Sequence, residues 1–458
     1  MIINDFLLKD IVVATSGEIL QTEQTIFRGV STNSKELQTE AIFIPLKGER
    51  FDAHDFIGEA ISNGAKLILT AKDLELEDGV TYVKVTDTLE ALQSLANFWR
   101  KKLNKKVLSI TGSNGKTTTK EFLQQILSTK YKVCYSAGSF NNHWGLPLSI
   151  LKLKTSDDLM ITEMGMNSPG EIAALCKIAE PNFAVVTNVG RAHLELMGSL
   201  ENIAEEKKQI YVASPNAVKI FNLDNSYTKQ MYGYFKKDEK RLTFSLSDSV
   251  ADVYLYKKQG NHVGGIIGGI EGEADFAVFG EQNLMNLAAA ATMALAYSMP
   301  AKDIWQGIKN CKTIWGRNQW VGLESGAKAV FDAYNANPES MAALLKNITN
   351  LEMSGKAYLI LGDMLELGNE NEAEHIHLAQ QVAAMPFAKV YFIGKNARLF
   401  KSHYKEKNLV VTDTYEEKLA FELEPMLSTG DIVFLKASRG IKLENFLLDL
   451  RPTEFTSK

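Results

Sequence analysis

The segment Val107-Leu-Ser-Ile-Thr-Gly112-Ser-Asn-Gly115-Lys116-Thr117-Thr118-Thr119 constrains this chain more than any other. An apolar run ends in a glycine turn, and Lys-Thr then opens a stretch with Phe122, Leu123 and Ile126 on one helical face. A strand that feeds a helix through such a turn aims backbone N–H groups and a helix N-terminus at an anion. The lysine can reach terminal phosphates, and the first threonine hydroxyl suits Mg²⁺. Gly112, Ser113, Asn114, Gly115, Lys116, Thr117 and Thr118 are therefore candidate nucleotide-binding residues, with Lys116 the candidate catalytic cation. The segment departs from GxxxxGK[ST] at one place, Ile110 standing where the first glycine would be. The competing reading is an ordinary strand–turn–helix corner with a surface lysine, but the context that the motif requires is present on both sides.

The rest of the chain suits a nucleotide-binding architecture. Runs at 107–111, 159–163, 183–189 and 218–223 read as strands alternating with helical patterns, the signature of a parallel sheet with crossover helices. The alternation restarts after Gly316, with strands expected at 328–331, 357–361, 390–393 and 432–435. Leu89, Leu92, Leu95, Ala96 and Trp99 recur at helical intervals within 88–103, and two more helices are expected at 284–297 and 302–309. The glycine-rich stretch Gly260–Gly272 has no helix start behind it and reads as β-hairpin turns, not as a second phosphate loop. At about 150 residues per domain, 458 residues suggest three units. The expected boundaries are 1–84, a small α/β unit; 85–312, the parallel-sheet nucleotide unit; and 313–458, a third α/β unit.

Composition removes several function classes. Fifty Lys+Arg against 55 Asp+Glu argue against a surface built to neutralise nucleic-acid phosphates. Cys134, Cys176 and Cys311 lack CxxC spacing, so neither a disulfide framework nor a thiolate zinc site is expected. Asp5, Lys9 and Asp10 interrupt the first apolar stretch, and the longest apolar run, Leu287–Met299, is too short for a membrane span. A cytoplasmic protein without membrane insertion is expected.

Two further strand ends carry chemistry. Glu163 closes the run 159–163, where a carboxylate can face the phosphate loop and hold magnesium. His193 lies just past the next strand end, in Thr187-Asn-Val-Gly-Arg-Ala-His-Leu-Glu195. Lys207 belongs to a charged helical run, 201–210, that by itself reads as a solvated face with i, i+4 pairs.

With ITGSNGKTTTKE, SFNNHWGLPLSIL, TEMGMNSPGEI, TNVGRAHLELMGS, ENIAEEKKQI, FGEQNLMNLAAAA, IWGRNQW, FDAYNANPESM, LILGDMLELG and LKASRG in order between residues 110 and 440, the chain resembles the ATP-dependent Mur ligases of bacterial cell-wall synthesis. STNSK and IPLKGERFDAHDF extend the likeness towards the N-terminus. The first and last of these regions resemble the branch that joins D-alanyl-D-alanine to UDP-N-acetylmuramoyl-tripeptide. The diamino-acid-adding branch shows a DNPR-type motif that is missing here, and folylpolyglutamate synthetases lack such a first unit.

The resemblance implies an N-terminal unit holding the UDP-sugar, a central P-loop ATPase, and a Rossmann-like unit that closes on ATP and binds the incoming dipeptide. Carried across, Ser31, Thr32, Asn33, Lys47, Glu49, Arg50 and His54 would lie near the uridine diphosphate, and Asn141 and Asn142 would contact the muramoyl peptide. Asn283 and Asn286 would lie near adenine; Arg317 and Asp332 would reach the phosphates and ribose. Thr117 and Glu163 would bind one Mg²⁺, and His193 with a carbamylated, CO₂-derived Lys207 a second, which makes His193 and Lys207 catalytic candidates beside Lys116. A monomer is expected. The family's Asp-Ser-Arg, His-Asn and paired aspartates appear here as Asn33-Ser34-Lys35, Gln282-Asn283 and Phe331-Asp332. A guanine switch would want an NKxD-like motif, and a nucleic-acid motor a basic face; neither is present.

Overall fold

The computed structural model describes residues 4–48, 51–136, 138, 140–235 and 240–455. Three α/β layers follow one another along the chain, each around its own sheet. A five-stranded sheet runs from Glu18–Gln21 to Thr81–Lys84, and a short ribbon pairs Asp5–Leu7 with Ile26–Arg28 beside it. The helix α1 (Thr88–Leu103) leaves this sheet for the next. Asp87 caps α1 by accepting from the Glu90 N–H, Arg100, Lys101 and Lys102 complement the dipole at its last turn, and Asn104 ends it in the left-handed conformation.

Beyond α1 lies a nine-stranded sheet, parallel from Val133–Tyr135 across to Val253–Lys257 and closed by two antiparallel strands. Its middle holds β1 (Lys106–Thr111), followed by α2 (Lys116–Leu127). The strand β2 (Leu159–Glu163) pairs with one edge of β1, and after α3 (Glu171–Ala179) the chain crosses to the other edge as β3 (Phe183–Val186). Strand order thus reverses at β1, and the turn after β1 lies at the topological switch point where open α/β sheets take ligands. Register places Glu163 opposite Ile110 and Val186 opposite Thr111, so three strand ends stop at one level.

Side-chain alternation sends Val107, Met160, Ala184 and Val186 to one face and Leu108, Ile110, Leu159, Ile161 and Val185 to the other. The first face is continuous with Trp99 of α1, with Phe6 and Leu67 of the N-terminal layer, and with Ile203 of α4 (Leu200–Val212). The second is covered by α2 and by α5 (Glu281–Ala296), whose Ala288–Ala291 are all buried and let the helices approach closely. Trp99 Nε1 donates to the Leu153 carbonyl and the Arg100 guanidinium to the carbonyls of Ala179 and Glu180, so α1 is tied to the central layer by polar contacts as well.

The third layer is a six-stranded sheet. It contains β4 (Lys328–Asp332), β5 (Ala357–Gly362) and β6 (Ile432–Lys436), with α6 (Pro338–Thr349) and α7 (Asn371–Ala383) on one face. Among the described residues no helix is long and apolar enough to cross a membrane.

Two expectations need correction. The run 183–189 is strand only to Val186, because the following residues turn away to bind the phosphate loop. Most of Gly260–Gly272 is strand, with His262–Ile267 and Ile270–Asp275 paired antiparallel, and only Gly268 and Gly269 form the turn. Glycine is required there because both have positive φ (56° and 79°).

Candidate active site

The phosphate loop is stitched to the loop after β3. The Ser113 N–H donates to the Asn188 carbonyl (3.0 Å) and the Asn114 N–H to Asn188 Oδ1 (2.9 Å). Thr187 Oγ1 donates to the Asn114 carbonyl (2.6 Å). Gly112 makes this approach possible, since a Cβ there would lie 1.9 Å from Thr187 Oγ1. Gly112→Ala is therefore expected to cost about 2–4 kcal/mol, read as a lower urea midpoint at unchanged slope. With the Ser113 and Asn114 amides engaged, the anion seat is the first turn of α2. It starts at Gly115 (φ 83°) with no side-chain cap on its N–H groups.

Lys116 is half-buried and folds back on the loop, its Nζ donating to the Gly112 carbonyl at 2.7 Å. Burial and the neighbouring Arg317 push its pKa down, and Glu163 opposes them. Arg317 lies with its guanidinium carbon 4.1 Å from the Tyr334 ring centre, and its buried Nε makes no hydrogen bond among the described residues. Thr117 and Thr118 are buried in the first turn of α2.

Glu163 is 1 % exposed. Asn141 Nδ2 donates to its Oε1 (2.8 Å), and its Oε2 has no hydrogen-bond partner among the described residues. Asn142 is taken up locally, its Oδ1 accepting the Gly145 N–H. Lys207, 1 % exposed, is not on a solvated helix face. The α4 surface that carries it packs inward because Glu206 accepts the N–H groups of Gly170 and Ile172 (2.8 Å each), capping α3 from outside. Desolvation, then Lys116, force the Lys207 pKa well below its ordinary value, against the pull of Glu206. The neutral amine is thereby favoured.

His193 has φ 62°, and its Nδ1 lies 3.2 Å from Oε2 of Glu366, which has φ 64° on the loop after β5. That contact holds Glu366 below the usual carboxylate range. Among the described residues no three His, Cys, Asp or Glu side chains stand close enough to hold a metal. The buried Glu163 carboxylate and the Thr117 hydroxyl are nevertheless oxygen donors of the kind a divalent ion takes together with phosphate oxygens.

Asn286 lies directly under Gly115, where a Cβ would meet its Oδ1 at 2.1 Å. It lines a cavity of about 330 Å³ together with Asn114, Asp224, Gln282 and Asn347. Asn283 is behind it, donating to the Phe279 carbonyl and accepting from Asn286 Nδ2, so it orients Asn286. Asp332 accepts the Asn318 N–H and pairs with Lys436 Nζ (2.5 Å), both side chains being buried. Lys436, in register beside Asp332 on β6, was missed from the sequence, although LKASRG contains it. Lys436→Met should cost about 3–5 kcal/mol, seen in denaturant unfolding, because it strands a buried carboxylate. Lys120, a second omission, donates from within ITGSNGKTTTKE to the Ser136 and Gly138 carbonyls and lies 4.0 Å from Glu163 Oε2.

In the N-terminal layer, Ser31 ends the strand Val30–Ser31, Thr32 and Asn33 follow it, and Lys47 is exposed. Glu49 and Arg50 lie outside the described residues. The expectation for His54 is corrected. Its Nδ1 contacts Asp52 Oδ1 at 2.6 Å and its Nε2 accepts the Ala71 N–H, so neither ring nitrogen is left for a ligand.

A phosphate loop at a switch point, with a buried acid and a buried lysine beside it and a third layer in contact with it, defines a nucleotide-using enzyme. The chain belongs to the Mur ligase family. It matches the Mur ligase family catalytic domain over residues 26–100, the Mur ligase middle domain over 110–294 and the Mur ligase glutamate ligase domain over 316–439. Among its relatives, UDP-N-acetylmuramoyl-tripeptide–D-alanyl-D-alanine ligase of Bacillus subtilis (strain 168) is 35% identical, the alignment covering 94% of each chain. Among solved structures, MurF from Acinetobacter baumannii superposes with a TM-score of 0.87 at 27% identity, covering 98% of this chain and 99% of that one. MurF ligase from Thermotoga maritima in complex with ADP superposes with a TM-score of 0.80 at 30% identity, covering 92% and 96%.

Proposed function

We propose that this chain joins D-alanyl-D-alanine to UDP-N-acetylmuramoyl-tripeptide, with ATP giving ADP and phosphate. The relatives' shared name and full-length coverage support the substrate pair, and the ADP complex of the Thermotoga maritima relative supports nucleotide binding. The observation that carries the reading is the convergence of Lys116, Glu163 and the buried Lys207 at the switch-point crevice, under a third layer that brings Arg317 to Lys116.

In this reading residues 1–84 hold the UDP-sugar, 85–312 hold ATP, and 313–458 close over it and receive the dipeptide. The chain acts as a monomer in the cytoplasm. The tripeptide's terminal carboxylate attacks the γ-phosphorus and the bond to ADP breaks; the dipeptide amine then attacks the carbonyl carbon of the acyl phosphate, the C–O bond to phosphate breaks, phosphate leaves, and the amine loses a proton as the amide forms. Two anions must approach in the first step. Lys116 and the first-turn N–H groups of α2 offset that repulsion, Arg317 adds positive charge from above, and Asn141 holds Glu163 in place.

Thr117 and Glu163 would hold one Mg²⁺, and His193 with a carbamylated Lys207 a second, reached once His193 is released from Glu366. Bound there, the ions would neutralise charge on the transferring oxygens. Closure of the third layer keeps water from the acyl phosphate. A matrix assay tests the reading, pairing acceptor tripeptides ending in diaminopimelate or lysine with D-Ala-D-Ala, L-Ala-L-Ala or single amino acids. ATP-dependent pentapeptide formation with D-Ala-D-Ala is expected; turnover only with a single amino acid would place the chain in another branch of the family.

A further inference from the structure

The main chain of Asn114 is fully committed to the loop after β3, through its N–H to Asn188 and its carbonyl to Thr187 and Asn188. Its side chain instead crosses to the third layer. Asn337 Nδ2 donates to Asn114 Oδ1 at 2.8 Å, and Asn114 Nδ2 approaches Asn337 Oδ1 at 3.5 Å. Asn337 is 5 % exposed and is also the N-cap of α6, its Oδ1 accepting the Ser340 N–H while Ser340 Oγ accepts its own N–H. One amide therefore fixes both the start of α6 and the contact with the phosphate loop.

A second contact reinforces the first. Ser113 and Gly190 bond to each other, so the loop after β3 moves with the phosphate loop. From that loop the Arg191 N–H donates to Glu339 Oε1 (3.0 Å), and its guanidinium pairs with Glu374. The first turn of α6 and the face of α7 are thus held by residues that cannot shift without the phosphate loop shifting too.

We propose that the Asn114–Asn337 amide pair is the latch between the phosphate loop and the third layer, with Asn337 a positioning residue that holds Arg317 and Asp332 over the nucleotide. The inference rests on the ligase reading above. A second side-chain amide offers a donor and an acceptor to match those of Asn114 together. Serine caps a helix as well as asparagine does but cannot span the gap.

The test is Asn337→Ser in the full chain. Its melting temperature should stay within about 2 °C of wild type, kcat should fall about tenfold, and KM for ATP should move less than about twofold. ADP released per amide formed should rise above the wild-type ratio, because an unlatched layer admits water to the acyl phosphate. Asn114→Ser should give the same loss of kcat, and the double variant should be no worse than either single one. Small-angle scattering with a non-hydrolysable ATP analogue reads closure without any ligation chemistry, so it separates failure of the latch from failure of the substrate assignment. A larger radius of gyration in Asn337→Ser than in wild type supports the latch. Equal radii, wild-type coupling, or losses that multiply in the double variant would overturn it.

Discussion

Lys116→Ala is expected to abolish ADP release in the presence of all substrates, lowering kcat by about 10³-fold or more. The ammonium now spends its donors on the Gly112 and Ser113 carbonyls, which a bound triphosphate would replace with far stronger acceptors. It is half-buried at the switch point, where a charge–phosphate contact is less screened than on an open surface. The fold should survive, because removing a desolvated ammonium costs little packing and relieves Lys207 of a like charge. A coupled ADP assay beside a thermal melt separates the two quantities. Near-normal turnover would remove the phosphate loop from the mechanism.

Lys207→Ala should lower kcat by at least about 10²-fold, on the basis that each 1.36 kcal/mol of lost charge stabilisation is worth about tenfold. Added acetate or formate should restore part of the activity. Desolvation shifts this buried amine towards its neutral form, and a neutral amine can attack CO₂ through its lone pair, lose a proton and become a carboxylate-like ligand, which an ammonium cannot. A short carboxylate in the space left by alanine would stand in for that group. Mass spectrometry of the native wild-type protein at high bicarbonate provides a readout independent of activity, with a gain of one CO₂ expected and none in the variant. Full activity in the unrescued variant would return Lys207 to a structural role.

Local signals made most of this architecture legible. Strand–turn–helix order around Gly112, the apolar runs and the 88–103 periodicity all arise from near neighbours in the chain, and the sheets follow them closely. Lys207 was not legible from physics alone. A charged helix reads as solvated unless the carboxylate beside it has a distant use, and Glu206 finds that use in the N–H groups of Gly170 and Ile172. Lys436 was invisible for a related reason, since its partner Asp332 comes into register only when β4 and β6, far apart in sequence, lie side by side. His54 shows the converse error. Resemblance suggested a ligand contact, whereas Asp52 and the Ala71 N–H already satisfy the ring.

The most direct measurement is a crystal structure of the chain with a non-hydrolysable ATP analogue and Mg²⁺. The β- and γ-phosphates should lie at the first turn of α2, with Lys116 Nζ moved off the Gly112 carbonyl onto a phosphate oxygen and the base beside Asn286. A nucleotide bound elsewhere, with Lys116 still folded on Gly112, would contradict the account.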